Sequence, residues 1–207
     1  MSVWGVSPLP QFIPQTPVKR KVFVSYCHLN QIEANAFVEQ WKNVFIPRAL
    51  GTTFSDDIIN STNPEYVMSQ IRQKYLGDST VTVVLIGSCT HSRRYIDWEL
   101  KASLKQGDSI PNGVVAFLLP SAQLPEGRVF SKTQSRYPPI PDRLDLNYGL
   151  NSAYKYARYF TMPTSDEEMR THIEDAYSAR TSRVVAIVNP NDMMKYNAVC
   201  KLCGVTH

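Results

Sequence analysis

Short apolar runs alternate along the chain with longer segments in which apolar residues recur every three or four positions. The runs at 21–26, 80–86 and 113–119 are rich in β-branched residues and flanked by turn residues, which is typical of buried strands. The segments between them have helical spacing. This alternation predicts an α/β fold, with a parallel sheet of about five strands covered by helices on both faces.

The other predicted elements complete the alternation. They are helices over 30–45, 64–75 and 164–182 and strands over 52–55, 158–162 and 184–188. Asn30 is the expected N-cap of the first helix, paired with Glu33 as in a capping box, and Pro47 is expected to end that region. A long irregular segment is predicted between Pro120 and Pro141.

Three parts of the chain follow from this pattern. Residues 1–19 are a Pro-rich N-terminal arm, residues 20–183 form the α/β domain, and residues 184–207 form a C-terminal extension. Prolines exclude regular helix and internal strand from the arm. The pattern assigns no role to the arm or to the extension.

The helix that follows the run at 80–86 is the centre of the prediction. Ile96, Leu100 and Leu104 form its core-facing stripe, and Tyr95, Glu99 and Ser103 form a second stripe beside it. Glu99 is therefore expected at the rim of the buried face, neither fully solvated nor fully buried. Ligands bind at the carboxyl ends of parallel strands in open α/β folds, but on position alone a solvated helix glutamate is the commoner case.

Three motifs in order resemble the bacterial TIR-like domain family, which includes the signalling subunit of Thoeris anti-phage systems. They are 21–26 (KVFVSY), 78–87 (DSTVTVVLIG) and 93–100 (RRYIDWEL). The resemblance covers roughly residues 20–120. It implies the flavodoxin-like TIR fold with strand order 2-1-3-4-5.

The resemblance also implies chemistry. Catalytic members of the family cleave NAD at the nicotinamide–ribose bond through a helix glutamate, whose position here is Glu99. NAD is then the substrate, no further cofactor is needed, and the expected product is a cyclic or conjugated ADP-ribose signal. The substrate site is expected to include Ser25, Tyr26, Cys27, Asp56, Arg94, Tyr95 and Trp98. Family members often carry Trp one turn before the glutamate, where this chain has Tyr95.

Several of these assignments have alternatives. Asp56 either orients ribose hydroxyls or caps a turn, and either Arg93 or Arg94 meets the pyrophosphate. The implied partners are a second copy of the chain, through TIR–TIR contacts, and a downstream effector that senses the nucleotide product. The rival to an enzyme is a TIR-like scaffold or sensor that binds nucleotide or protein without chemistry.

Composition excludes other classes. The net charge of +4 is scattered, with no basic block or aromatic-interleaved basic strip, so a nucleic-acid partner is not expected. No apolar run is long enough to span a bilayer, so we expect no membrane partner and a cytoplasmic location. The four cysteines are too few for a disulfide framework and are expected to be reduced.

Metal, phosphate-loop and hydrolase motifs are also not favoured. Cys200, Cys203 and His207 offer only three zinc ligands at the end of the sequence, so no metal is expected. GxGxxG, GxxxxGK, HExxH and GxSxG patterns are absent from the sequence. The aspartate that a response regulator needs after its third strand is also missing at Ile86.

Overall fold

One parallel sheet forms the centre of the computed structural model, which describes residues 18–50, 63–107, 109–122, 139–148 and 154–206. Its strands have the order β2-β1-β3-β4-β5, which confirms the predicted topology. The strands are β1 (Lys21–Tyr26), β2 (Ile46–Leu50), β3 (Val81–Ile86), β4 (Gly113–Leu118) and β5 (Arg158–Phe160). Every neighbouring pair is parallel.

Strand β2 begins earlier in the chain than predicted. It includes Pro47, which was expected to end the preceding region, and that expectation was wrong. β2 lies at the edge of the sheet, where a proline without an N–H group is tolerated because only one side of the strand needs partners. The strand predicted at 52–55 lies outside the described residues.

Helices cover both faces of the sheet. They are α1 (Gln31–Trp41), α2 (Pro64–Ile71), α3 (Arg94–Ser103), α4 (Asp142–Asn147) and α5 (Asp166–Ser182). Apolar residues of α1 and α5 pack with Val22, Val24 and Phe117 on one face. On the other face, α3 packs with α4 over β3 and β4 and with α2 over β1.

Helix termini differ in part from the predicted caps. Asn30 ends a short 3-10 turn, makes no side-chain cap, and instead donates from Nδ2 to Glu33 Oε2 at 2.9 Å. Asn30 is therefore the N-cap residue of α1 and is paired with Glu33 as predicted, but its side chain does not accept a hydrogen bond from a backbone amide of the helix. The side chain of Asn63 caps α2, which continues as a π-helical turn over Arg72–Leu76.

The part of the C-terminal extension that the structure describes, residues 184–206, is called the C-terminal segment below. It does not form the strand predicted at 184–188. Val184–Ala186 is a 3-10 turn whose amide groups find partners nearby, such as Ala186 N to Arg183 O at 2.9 Å, so that prediction was wrong. The chain then runs along the outside of α3, and the amide of Ala198 donates to Ser92 O at 2.9 Å. In the described part of the chain, no helix has the length and apolar character needed to cross a membrane.

Candidate functional site

Glu99 lies at the contact between α3 and the sheet. Its side chain is 1% exposed, and its Oε2 accepts a hydrogen bond from Ser25 Oγ of β1 at 2.5 Å. The expected rim position was therefore wrong, because the Glu99 side chain points into the contact between α3 and β1. The inner face of α3 meets the sheet, and its outer face is covered by the C-terminal segment.

A row of buried polar side chains, here called the polar seam, runs from Glu99 along the face of α3 that meets the sheet. It consists of Ser25, Ser79, Thr82, Glu99, Ser103 and Asn112. One helical turn further on, Ser103 Oγ lies 2.8 Å from Thr82 Oγ1 of β3. Asn112 Nδ2 donates to Thr82 Oγ1 at 3.2 Å and to Ser79 Oγ at 2.9 Å. Each of these buried polar groups has a partner, as a stable interior requires. The predicted stripe of Glu99 and Ser103 thus faces the sheet directly.

Burial changes the acidity of the Glu99 carboxyl. Loss of hydration raises its pKa to about 8, although the hydrogen bond from Ser25 acts in the opposite direction. The described ion pairs leave this carboxyl without a cationic side chain. At neutral pH the group is therefore mostly protonated.

The structure brings Ser25 to Glu99 but turns Tyr26 away. Successive side chains of a strand point to opposite faces. Tyr26 packs among the α1 side of the core, where its hydroxyl donates to Gln31 Oε1 at 2.8 Å and burial raises its pKa. Cys27 lies with Cys89 and Cys200 beyond the end of the strand.

Arg94, Tyr95 and Trp98 lie together toward the C-terminal segment. The Trp98 indole donates to Met194 O at 2.9 Å and meets the Tyr95 ring edge-on at a centroid distance of 5.7 Å. Arg94 donates to the Tyr95 hydroxyl and to Lys195 O, at 2.9 and 3.3 Å. These three predicted residues therefore anchor the segment at residues 194–195, on a different side of α3 from the Glu99–Ser25 contact.

Arg93 and Asp56 complete the predicted set. Arg93 Nε donates to Cys27 Sγ at 3.2 Å, so it turns toward the end of β1. Asp56 lies outside the described residues. A surface cleft lined by Asp78, Thr80 and Asn112 lies at the amino ends of β3 and β4, and it contains none of the predicted site residues.

Sequence reasoning missed a buried ion pair that involves α3, the helix that carries Glu99. Asp97 is 7% exposed and Arg143 is 4% exposed, and Arg143 Nε lies 2.8 Å from Asp97 Oδ1. Arg143 also donates to the carbonyl groups of Pro190 and Asp192, and the Met194 amide donates to Asp97 Oδ2. The pair thus holds the C-terminal segment against α3 and α4.

No local signal marks this pair in the sequence. The two residues are 46 positions apart, and both lie in patterns that are typical of solvated helix positions. Only the packing of a third segment over both helices makes them buried.

One family model matches part of the chain. Residues 23–116 match the family model described as Thoeris protein ThsB, TIR-like domain. The matched range runs from β1 into β4 and includes both Ser25 and Glu99. None of the curated proteins compared with the chain matches it.

Proposed function

We propose that the protein cleaves NAD at the nicotinamide–ribose bond, because residues 23–116 match the family model of the Thoeris ThsB TIR-like domain. The family match supports a role in anti-phage defence signalling. The expected product is a cyclic or conjugated ADP-ribose that a downstream effector senses. The observation that carries the proposal is the buried Glu99 carboxyl beside Ser25.

The reaction needs a negative charge near the ribose. Departure of nicotinamide leaves an oxocarbenium-like sugar, and a fixed carboxylate stabilises its positive charge, most strongly where water is excluded. Glu99 supplies that carboxylate, and Ser25 holds its orientation through the hydrogen bond to Oε2. The positive charge of the nicotinamide ring in bound NAD favours the ionised form of Glu99.

Access to Glu99 requires a rearrangement. With 1% of the side chain exposed, NAD reaches the carboxyl only if an element beside it moves. The carboxyl is enclosed where α3 meets the end of β1, so the element that moves has to be one of those packed at that contact. Assembly of copies through TIR–TIR contacts is the proposed trigger.

One observation favours the rival function. A carboxyl that is fully buried, hydrogen-bonded and mostly neutral at pH 7 also suits a purely structural position in a TIR-like scaffold. Such a scaffold binds nucleotide or protein partners and does not turn over NAD.

The test is nicotinamide release from NAD over a range of protein concentrations, because assembly is expected to be required. We expect Glu99→Gln to lower the rate at least about 100-fold, as removal of a transition-state charge stabiliser does. Glu39→Gln makes the same chemical change on the exposed side of α1 and should keep the wild-type rate.

The outcomes separate the two functions. Equal turnover by wild type and Glu99→Gln contradicts a catalytic Glu99. No turnover by wild type at any concentration, together with calorimetric binding of NAD, favours the scaffold. Mass spectrometry of the reaction mixture identifies the released nucleotide.

A further inference from the structure

Three cysteine sulfurs converge where the C-terminal segment meets the carboxyl end of β3. The Sγ atoms of Cys89, Cys200 and Cys203 all lie within 4.8 Å of one another, and those of Cys89 and Cys203 are 3.6 Å apart. Cys89 and Cys200 are buried, whereas Cys203 is exposed at the mouth of the group. The four cysteines of the chain all lie in the described residues, and none forms a disulfide.

The spacing of these sulfurs fits a shared metal ion. Two thiolates bound to one tetrahedral zinc ion at about 2.3 Å have sulfurs about 3.8 Å apart. The observed 3.6 Å between Cys89 and Cys203 is close to that value and well beyond a disulfide bond of about 2.05 Å. The Cys200 sulfur lies within 4.8 Å of both and supplies a third corner of a tetrahedron.

The backbone around Cys200 and Cys203 forms a tight turn. Gly204, at φ +73°, lets the chain reverse, and its amide donates to Cys200 O at 2.8 Å. The Cys200 amide in turn donates to Val205 O at 3.0 Å. This geometry directs both side chains of the Cys-x-x-Cys pair to one point.

Burial of Cys89 and Cys200 makes their environment favour a bound cation. A thiolate buried away from water needs a charge partner, and a cation between the sulfurs supplies one.

We propose that the chain binds one zinc ion through the thiolates of Cys89, Cys200 and Cys203. Each coordinating thiol gives its proton to solvent as the Zn–S bond forms. The fourth position is taken by water. The sequence alone did not favour a metal, because Cys89 precedes Cys203 by 114 positions and only the fold joins them.

Cys27 is close to this group but has a different partner. It packs against Cys89 and Cys200, and its sulfur accepts from Arg93 Nε at 3.2 Å. It is therefore not counted among the ligands and provides a matched control. The zinc ion would fix the C-terminal segment to the loop after β3, on the same side of α3 as the contacts of Trp98. This inference goes beyond the proposed NAD chemistry and does not depend on it.

The first test is the metal content of the full chain after purification without chelators. We expect about one zinc per chain for wild type and for Cys27→Ser, and at least about a tenfold loss for Cys203→Ser, since a structural site needs its thiolates. Cys203 is exposed, so its replacement leaves the core intact, and far-ultraviolet circular dichroism checks the fold.

Cobalt substitution gives a second readout that reports ligand type. Co²⁺ added to metal-free wild type should produce the thiolate-to-cobalt charge-transfer band and the visible absorption of a tetrahedral site, and Cys203→Ser should lose the wild-type spectrum. The proposal is overturned if reduced wild type binds neither ion. It is also overturned if Cys203→Ser retains wild-type zinc and the wild-type cobalt spectrum, or if mass spectrometry finds a Cys89–Cys203 disulfide in protein that binds no metal.

Discussion

At the scale of single residues, the buried Glu99 carboxyl makes the stability of the fold depend on pH, and it is also the group proposed for catalysis. A carboxyl whose pKa is about 8 in the folded chain and near 4.5 in the unfolded chain keeps its proton in the fold while the unfolded chain loses it. Between these two values the unfolded chain binds fewer protons. Stability therefore falls as pH rises, by up to about 5 kcal/mol in total.

Glu99→Gln should remove this pH-dependent cost. Gln cannot ionise but accepts the same hydrogen bond from Ser25. We therefore expect the free energy of unfolding of Glu99→Gln, minus that of wild type, to increase by several kcal/mol from pH 5 to pH 9. Urea denaturation at a series of pH values measures it, with Glu39→Gln as the control. A difference that stays constant with pH would show that Glu99 is ionised in the fold.

The buried pair of Asp97 and Arg143 makes a second prediction at this scale. Arg143→Met removes the cation and leaves a 7% exposed carboxylate without its partner, which should cost about 3–5 kcal/mol of unfolding free energy. Lys42→Met breaks the exposed pair with Glu39 and should change stability by less than about 1 kcal/mol. Equal small effects would show that Arg143 does not hold Asp97.

At the scale of elements, local sequence predicted the faces that meet the sheet. The β-branched run at 80–86 forms β3, and Ile96, Leu100 and Leu104 are buried as their spacing requires. The sequence predicted that Glu99 and Ser103 of the polar seam share a face of the helix, but it did not predict their partners on the strands. A period of 3.6 residues indicates which residues share a face but not which strand atoms lie opposite them. Ser25 was predicted to belong to the substrate site, but its hydrogen bond to Glu99 was not predicted.

Two predictions about elements were wrong because local sequence does not indicate how elements pack against one another. The pattern at 184–188 satisfies strand propensity, but a strand needs a neighbour, and here the amides pair locally as a 3-10 turn. Glu99 was expected at a rim because periodicity describes one helix and one sheet. That period does not indicate how closely the helix packs on the sheet, and in the fold the Glu99 side chain lies in this contact, against Ser25.

The close packing of β4 against α5 predicts that replacing Gly113 lowers the stability of the fold. A Cβ at Gly113 would lie 1.8 Å from the backbone oxygen of Ala176, which cannot move without shifting α5. Gly113→Ala should therefore lower the unfolding free energy by about 1–3 kcal/mol, measured by urea denaturation. At Gly87 the clash is with the end of the Asn30 side chain, so Gly87→Ala should cost less. The reverse order would contradict the close contact of β4 and α5.

At the scale of the whole molecule, the C-terminal segment packs on α3, the helix that carries the candidate site. It covers α3 through Trp98, Asp97 and Arg143, and the three cysteines lie at its far end. From the sequence, residues 184–207 were predicted to be a C-terminal extension, and no role was assigned to them. The role of the segment emerges only when the buried polar contacts of residues 189–198 are taken together.

Removal of residues 188–207 should expose the outer face of α3. The Trp98 indole loses the Met194 carbonyl and meets water, so we expect tryptophan emission to shift to longer wavelength and the midpoint of thermal unfolding to fall. Trp98→Phe in the truncated chain should lack the shift. Unchanged emission on truncation would mean that the segment does not cover Trp98 in solution.

The pH profile of kcat/KM for nicotinamide release tests the central claim most directly, because it reports the ionisation of groups in the free enzyme. For wild type we predict a rate that rises with pH, has its inflection near pH 8 and levels off above it, as Glu99 loses its proton. Ser25→Ala should move the inflection to higher pH, since the Ser25 hydrogen bond lowers the pKa of Glu99. A profile that is flat between pH 6 and 9, or identical in Ser25→Ala, would contradict the assignment of Glu99 as the catalytic carboxylate.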